Sequence, residues 1–257
     1  MNVRIKTVLA FAAALGIVLG AAAPAQAVAD GEPVPDGHYT FSVKLTMTGI
    51  PTADGGRRNS ACSGALIAPR WIITAGHCFR DADNVRVNRP VADDTTATVG
   101  RTDLTDTSRG MSAEVIAVRQ SPTADVALAE ISAPATGIRP IHLSTTAPEL
   151  GDILRVTGYG SVTSVDPVPE TRLRTGQLSV VELSDAVVGL HGYAPQPDTT
   201  PCPYDSGGPY FSEHDGRWPE LVAVVSNGPS CPHTETEDGA RTDNIVPWIR
   251  SVLHDVS

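Results

Sequence analysis

Three short motifs hold side chains that could act together. His77 stands in TAGHC, directly after an apolar run. Asp125 stands in TADVALAE, at the start of another, and Ser206 stands in YDSGGP. A serine hydroxyl is a weak nucleophile until a neighbouring base takes its proton, and the base needs a partner that fixes its tautomer. A histidine and an aspartate meet those needs. Glycines after the serine let the backbone turn sharply and let a carbonyl come close. The chemistry this set could perform is acyl transfer from an activated serine. Singly, each residue has an ordinary structural reading: a histidine closing a strand, a strand-edge acid, a glycine turn.

The elements that must position them read as strands. Tyr39 to Thr48 alternates strictly, with Tyr39, Phe41, Val43, Leu45 and Met47 on one side. Thr40, Ser42, Lys44, Thr46 and Thr48 fall on the other. That is the pattern of a half-buried strand. Short apolar runs recur in GALIAP, WIITA, DVALAEI, ILRVTGYG, GQLSVVEL and ELVAVVSNG, separated by turn-rich stretches. This predicts an all-β chain, an antiparallel barrel or sandwich. Ile131–Leu143, with two prolines and a glycine, reads as a connection between two halves. Near the end, Val246, Ile249 and Leu253 share a helical face, with Asp243 or Asn244 available as N-cap.

The chain has 257 residues, which suits one large all-β unit or two small domains sharing a core. Its net charge of −10 argues against a nucleic-acid-binding surface. Arg4 and Lys6, the apolar stretch Val8–Gly20 and the A-x-A pair Ala25 and Ala27 read as an export signal over residues 1–27. That stretch is too short to serve comfortably as a membrane anchor, and no other could cross, so no membrane attachment is expected after cleavage. Cys62, Cys78, Cys202 and Cys231 form an even set, which implies disulfides in an oxidising compartment. Three pairings are possible, and spacing does not choose among them. No C-x-x-C pair is present to favour zinc.

Taken together, the motifs resemble those of trypsin- and chymotrypsin-like serine proteases, most closely the exported actinobacterial kind. CSGALIAPRWIITAGHC is similar to the strand pair leading to the family's catalytic histidine, DVALAEI to its aspartate segment and DSGGP to its serine loop. VVSNGPSC resembles the substrate-binding strand, and PWIRSVL the start of the terminal helix. The order His, Asp, Ser separates this family from subtilisins and α/β-hydrolases. The resemblance implies one protease unit over 28–257, made of two packed six-stranded antiparallel β-barrels and a short C-terminal helix. The first barrel would span about 28–135, the second about 144–243 and the helix about 244–254. It implies that Ser206 attacks, that His77 is general base and then general acid, and that Asp125 orients His77. The N–H groups of Tyr204 and Ser206 would form the oxyanion hole. Cys62 would pair with Cys78, and Cys202 with Cys231. An α-amine freed at Val28 would pair with Asp205. Thr200, Ser226 and Gly228 would line the specificity pocket. The implied protein is a secreted monomer that hydrolyses protein or peptide substrates and needs no cofactor or metal.

The sequence departs from the family mildly at its mature start, Val28–Gly31, at Asn227, where a tryptophan is usual, and at two further positions that bear on the site. Tyr204 replaces a glycine in the oxyanion loop, and a wrongly turned peptide there would lose its donor. The rival reading is therefore a catalytically silent or impaired protease fold that serves as a binding protein. Thr200 replaces the acid that trypsin-like members carry six positions before the nucleophile. Poor cleavage after Arg and Lys is the expectation, although Asp198 lies near and Glu235–Gly239 lies where the pocket's far wall should be.

Overall fold

The alternating run beginning at Tyr39 forms a strand, but one that starts at Ser42, because Tyr39 turns the chain with φ of 47°. The computed structural model describes residues 28–214 and 216–254; the expected signal segment, 1–27, lies outside them. Strands of the first half are β1 (Glu32–Pro33), β2 (Ser42–Pro51), β3 (Arg57–Ala68), β4 (Trp71–Ala75), β5 (Asp94–Val99), β6 (Met111–Gln120) and β7 (Val126–Ile131). The second half carries β8 (His142–Leu143), β9 (Ile153–Gly158), β10 (Arg174–Leu183), β11 (Val187–Ala194), β12 (Pro209–Ser212), β13 (Glu220–Asn227) and β14 (Glu237–Arg241). A 3-10 turn and the helix α1 (Val246–His254) follow.

Two closed barrels result. The first runs β2-β3-β4-β7-β6-β5 and back to β2, all antiparallel. The second runs β9-β10-β11-β14-β13-β12 and back to β9, with β1 added beside β10 and β8 lying parallel to β13. Closure leaves no long unpaired edge in either sheet. Residues 28–33 thus pair with the second barrel, although the sequence reading placed them in the first. Ala29 also bridges to Thr200.

The barrels share apolar surface. Phe41 meets Phe211 edge-on at 5.4 Å and Trp218 at 6.0 Å between ring centres. This explains a departure from strand period on β2. Phe41, Val43, Leu45 and Met47 are buried as expected, but Ser42 and Lys44 are buried too. Their side of the strand faces the second barrel, where Ser42 Oγ lies 2.8 Å from Thr157 Oγ1. At the chain's end, Val246 and Ile249 are buried and Leu253 is partly so. No side-chain cap forms at the start of the 3-10 turn Asp243–Ile245 that leads into the helix. The Asp243 carboxylate accepts instead from Arg241, at 2.8 Å from Nη2.

Candidate active site

His77 sits in the 3-10 turn Gly76–Phe79 that ends β4, and Asp125 immediately precedes β7. These strands are antiparallel neighbours, with Ala75 opposite Val126, so the two side chains meet at the same rim of the first barrel. His77 Nδ1 lies 2.7 Å from Asp125 Oδ2, and the His77 backbone N–H donates to Asp125 Oδ1 at 2.9 Å. Ser226 Oγ donates to Asp125 Oδ2 at 2.8 Å from across the barrel interface. Arg86 Nη1 stands 3.6 Å from Asp125 Oδ1. Burial works to raise the Asp125 pKa, but the hydrogen bonds and charge of His77 and the Ser226 hydroxyl outweigh it and hold the carboxyl at about 2. Asp125 is therefore ionised at neutral pH and directs the Nδ1 proton of His77 towards itself, leaving Nε2 free to accept.

Ser206 comes from the second barrel, on the loop before β12. Its side chain makes no hydrogen bond among the described residues. It shares with His77 and Asp125 a cleft of about 800 Å³. Ser206 and His77 also border a smaller recess of about 270 Å³ with Tyr204 and the Cys62–Cys78 bridge.

The loop's shape is set by three backbone features. Gly207 has φ of 82°, and a Cβ there would collide with the Thr74 hydroxyl and the Ser63 carbonyl. Tyr204 has φ of 77°, the left-handed region that glycine enters freely and tyrosine enters at a cost of order 1–3 kcal/mol. The loop thus keeps the turn a glycine would give it. Among the described residues, the N–H groups of Tyr204 and Ser206 have no acceptor. The Tyr204 carbonyl accepts from Ser63 Oγ at 3.1 Å, and the Ser206 carbonyl from Ser63 N at 2.8 Å.

Asp205 points the other way and is fully buried. Gly160 N–H donates to its Oδ1 at 2.7 Å and Cys202 N–H to its Oδ2 at 3.0 Å, and the Val28 N–H also donates to it. Burial raises its pKa to about 6, less than burial alone would, because those N–H groups and the charge of Lys44 favour the anion. Val28 therefore reaches the carboxylate the resemblance paired it with. Joined to Ala27, its nitrogen is an amide and brings no charge.

A buried carboxyl group also borders the cleft. Glu237 lines it, 3 % exposed, with Oε1 2.6 Å from His233 Nε2. The Glu235 N–H donates to His233 Nδ1 at 3.1 Å, which places the neutral ring's proton on Nε2, pointing at Glu237. Burial, then the negative charges of Asp205 and Asp238, push the Glu237 pKa up to about 8. Gly228 leaves room for it, since a Cβ at Gly228 would overlap the carboxyl.

A family model for trypsin matches residues 28–249. This chain belongs to the trypsin family. A relative described as trypsin alpha-4, from Lucilia cuprina, is 28 % identical over 240 residues, covering 85 % of this chain and 86 % of its own. The solved structure of neuropsin, described as a serine protease expressed in the limbic system of mouse brain, superposes with a TM-score of 0.68 at 19 % identity. It covers 88 % of this chain and 100 % of its own. The chain is a serine endopeptidase, a hydrolase whose family membership implies protein substrates.

As a trypsin-family member the chain brings most of the expected site residues to one cleft. His77, Asp125, Ser206, Ser226 and Gly228 all line it. Thr200 does not. It is fully buried, its N–H donating to Ala29 O and its hydroxyl turned towards Asp198 O. Glu237 lines the cleft instead, within the stretch 235–239 that the sequence assigned to the far wall. His233 was not anticipated; its spacing of four residues from Glu237 was the only available signal. Cys62 bonds Cys78 and Cys202 bonds Cys231. The second bridge ties the start of the serine loop to the segment following the cleft strand β13.

Proposed function

We propose that this protein is a secreted endopeptidase of the exported actinobacterial kind, and that it cleaves peptide bonds through an acyl-enzyme on Ser206. Ser206 Oγ attacks the scissile carbonyl carbon while its proton passes to His77 Nε2. The carbonyl oxygen becomes an oxyanion facing the N–H groups of Tyr204 and Ser206. Collapse breaks the C–N bond, and the leaving amine takes the proton from His77. Water then attacks the ester, gives its proton to His77 and releases the acid as Ser206 regains its own. Asp125 stays ionised and stabilises the imidazolium. The export pattern of residues 1–27 and a cysteine set fully used in disulfides support secretion.

The observation that carries this reading is the clamp on Asp125. Three donors from two barrels fix it against His77 Nδ1, at the mouth of the cleft that Ser206 shares. A scaffold kept for binding alone gains nothing from orienting that ring. Labelling with a fluorophosphonate probe tests it. Ser206 is expected to take the label, and Ser206→Ala and His77→Ala to abolish it. Folded protein with both disulfides intact that resists the probe would indicate the silent binding fold instead.

A further inference from the structure

Lysine occurs only twice in the sequence, at Lys6 and Lys44, against 17 arginines. Lys44 is 4 % exposed, on the face of β2 that meets the second barrel. A buried ammonium is costly unless something needs its charge. Its Nζ donates to the carbonyl of Tyr159 at 2.8 Å. The N–H of the same peptide group, that of Gly160, donates to Asp205 Oδ1 at 2.7 Å. One peptide thus stands between cation and anion, its dipole aligned with both. The ammonium also lies 5.8 Å from the centre of the Tyr204 ring, within reach of its π face.

We propose that Lys44 is a positioning residue: through the Tyr159–Gly160 peptide, its buried ammonium holds the Asp205 carboxylate and keeps the Tyr204–Ser206 loop formed without a free amine at Val28. This rests on the proteolytic reading above. Asp205 has three backbone donors and one cation, and donors alone leave a buried anion without countercharge. Burial pulls the Lys44 pKa down to about 8, with the charge of Asp205 opposing the fall. Between about pH 6 and pH 8 both groups are charged. The Tyr204 ring also faces the ammonium, the Tyr159 phenol turns away to Arg101 O, and the charges of Glu237 and Asp205 act on each other, with the Tyr210 phenol near both. Burial raises the pKa of Tyr159 and Tyr210, so those phenols are neutral in this window. Glu237 is mostly protonated below about 8.

The test compares protein beginning at Val28 with protein keeping Ala27 ahead of it; in both, Lys44 is the single lysine. With ¹³C-labelled lysine, its one side-chain signal should titrate near pH 8, and at lower pH still in Asp205→Asn. In the Ala27 form, peptide hydrolysis should persist. Lys44→Met should there lower kcat at least about tenfold with KM changed far less, as expected when an oxyanion donor is misplaced. Restoring the free Val28 amine should recover much of the loss. Parent kcat in Lys44→Met of the Ala27 form overturns the proposal, as does a lysine signal titrating at the ordinary value or unmoved by Asp205→Asn. If Lys44→Met does not fold, the alkaline fall in kcat of the parent Ala27 form decides. It should follow the lysine titration, and separation of the two curves overturns the proposal. If neither parent form hydrolyses peptides or takes the fluorophosphonate label, the proteolytic reading fails, and the lysine titration still judges the pairing with Asp205.

Discussion

Asp125 is a partly exposed carboxyl and Glu237 a buried one in the same cleft, and their surroundings move them in opposite directions. Asp125 is held near 2, so it stays ionised throughout any ordinary assay, and the acid limb of the rate profile belongs to another group. Asp125→Asn removes the acceptor that fixes the His77 tautomer. We expect kcat to fall by about 10⁴-fold, the loss that follows this change in the best-studied serine triad, with KM little altered. Steady-state kinetics on a peptide ester and amide check it. Glu237, pushed up to about 8, is mostly neutral at pH 7 and gives a cationic side chain little attraction. As pH rises through 8 it ionises. The ratio of kcat/KM for Lys or Arg substrates over apolar ones should therefore climb across pH 7 to 9. Glu237→Gln should flatten that climb, and an equal climb in the variant would remove Glu237 from specificity. Taking a ratio cancels the separate loss of Lys44 charge over the same range.

At the scale of elements, the serine loop shows what a sequence can and cannot disclose. DSGGP and TAGHC were legible because together they resemble the family's serine loop and histidine segment; taken singly, each had an ordinary structural reading. Tyr204 was legible only as an anomaly. Its consequence depends on φ and on contacts with Ser63 and Lys44, well over a hundred residues earlier. Strand β2 teaches the same lesson. Its period of two identified the inner face correctly, but Ser42 and Lys44 looked like solvent-facing positions. No pattern within ten residues can announce that a second barrel will cover them. Thr200 was misplaced because the pocket was counted along the chain from Ser206, whereas the cleft is lined by residues 225–230 and by Glu237 of β14. Tyr204→Gly tests the loop directly. Relief of the left-handed tyrosine should keep or raise kcat, read by active-site titration and turnover. A sharp loss in a folded variant would give the ring a positive part in the smaller recess. Gly158→Ala should do the reverse, since its Cβ would run into the Asp205 carboxylate and expel it from its seat. We expect loss of nearly all turnover with the first barrel intact.

Across the whole molecule, stability and activity should diverge in alkali. Lys44 has a folded pKa of about 8 against 10.5 when unfolded. The unfolded chain therefore binds more protons between those values, and stability from this group rises as pH passes from 8 to 10.5. The shift corresponds to about 3 kcal/mol. Native protein should gain about that much on Lys44→Met over this range in denaturant titrations, while its turnover declines. The Cys202–Cys231 bridge closes a 29-residue span. Loop entropy assigns it about 3–4 kcal/mol. Replacing both cysteines by serine should lower stability by that order and loosen the serine loop first, seen as faster amide exchange at residues 202–208.

The start of the described chain is sewn into its far half. Thr199 Oγ1 donates to Asp30 O across 169 residues, and Arg174 donates to Gly31 O across 143. Contacts this distant wait until most of a growing chain has been made. A polypeptide threaded through a membrane from its N-terminus would carry Val28–Pro33 outside long before β10 or Asp205 emerged to receive them. For a chain exported as proposed, the cleft would be assembled only after the residues around Asp205 had crossed, and the producing cell would be shielded from it by that order of delivery.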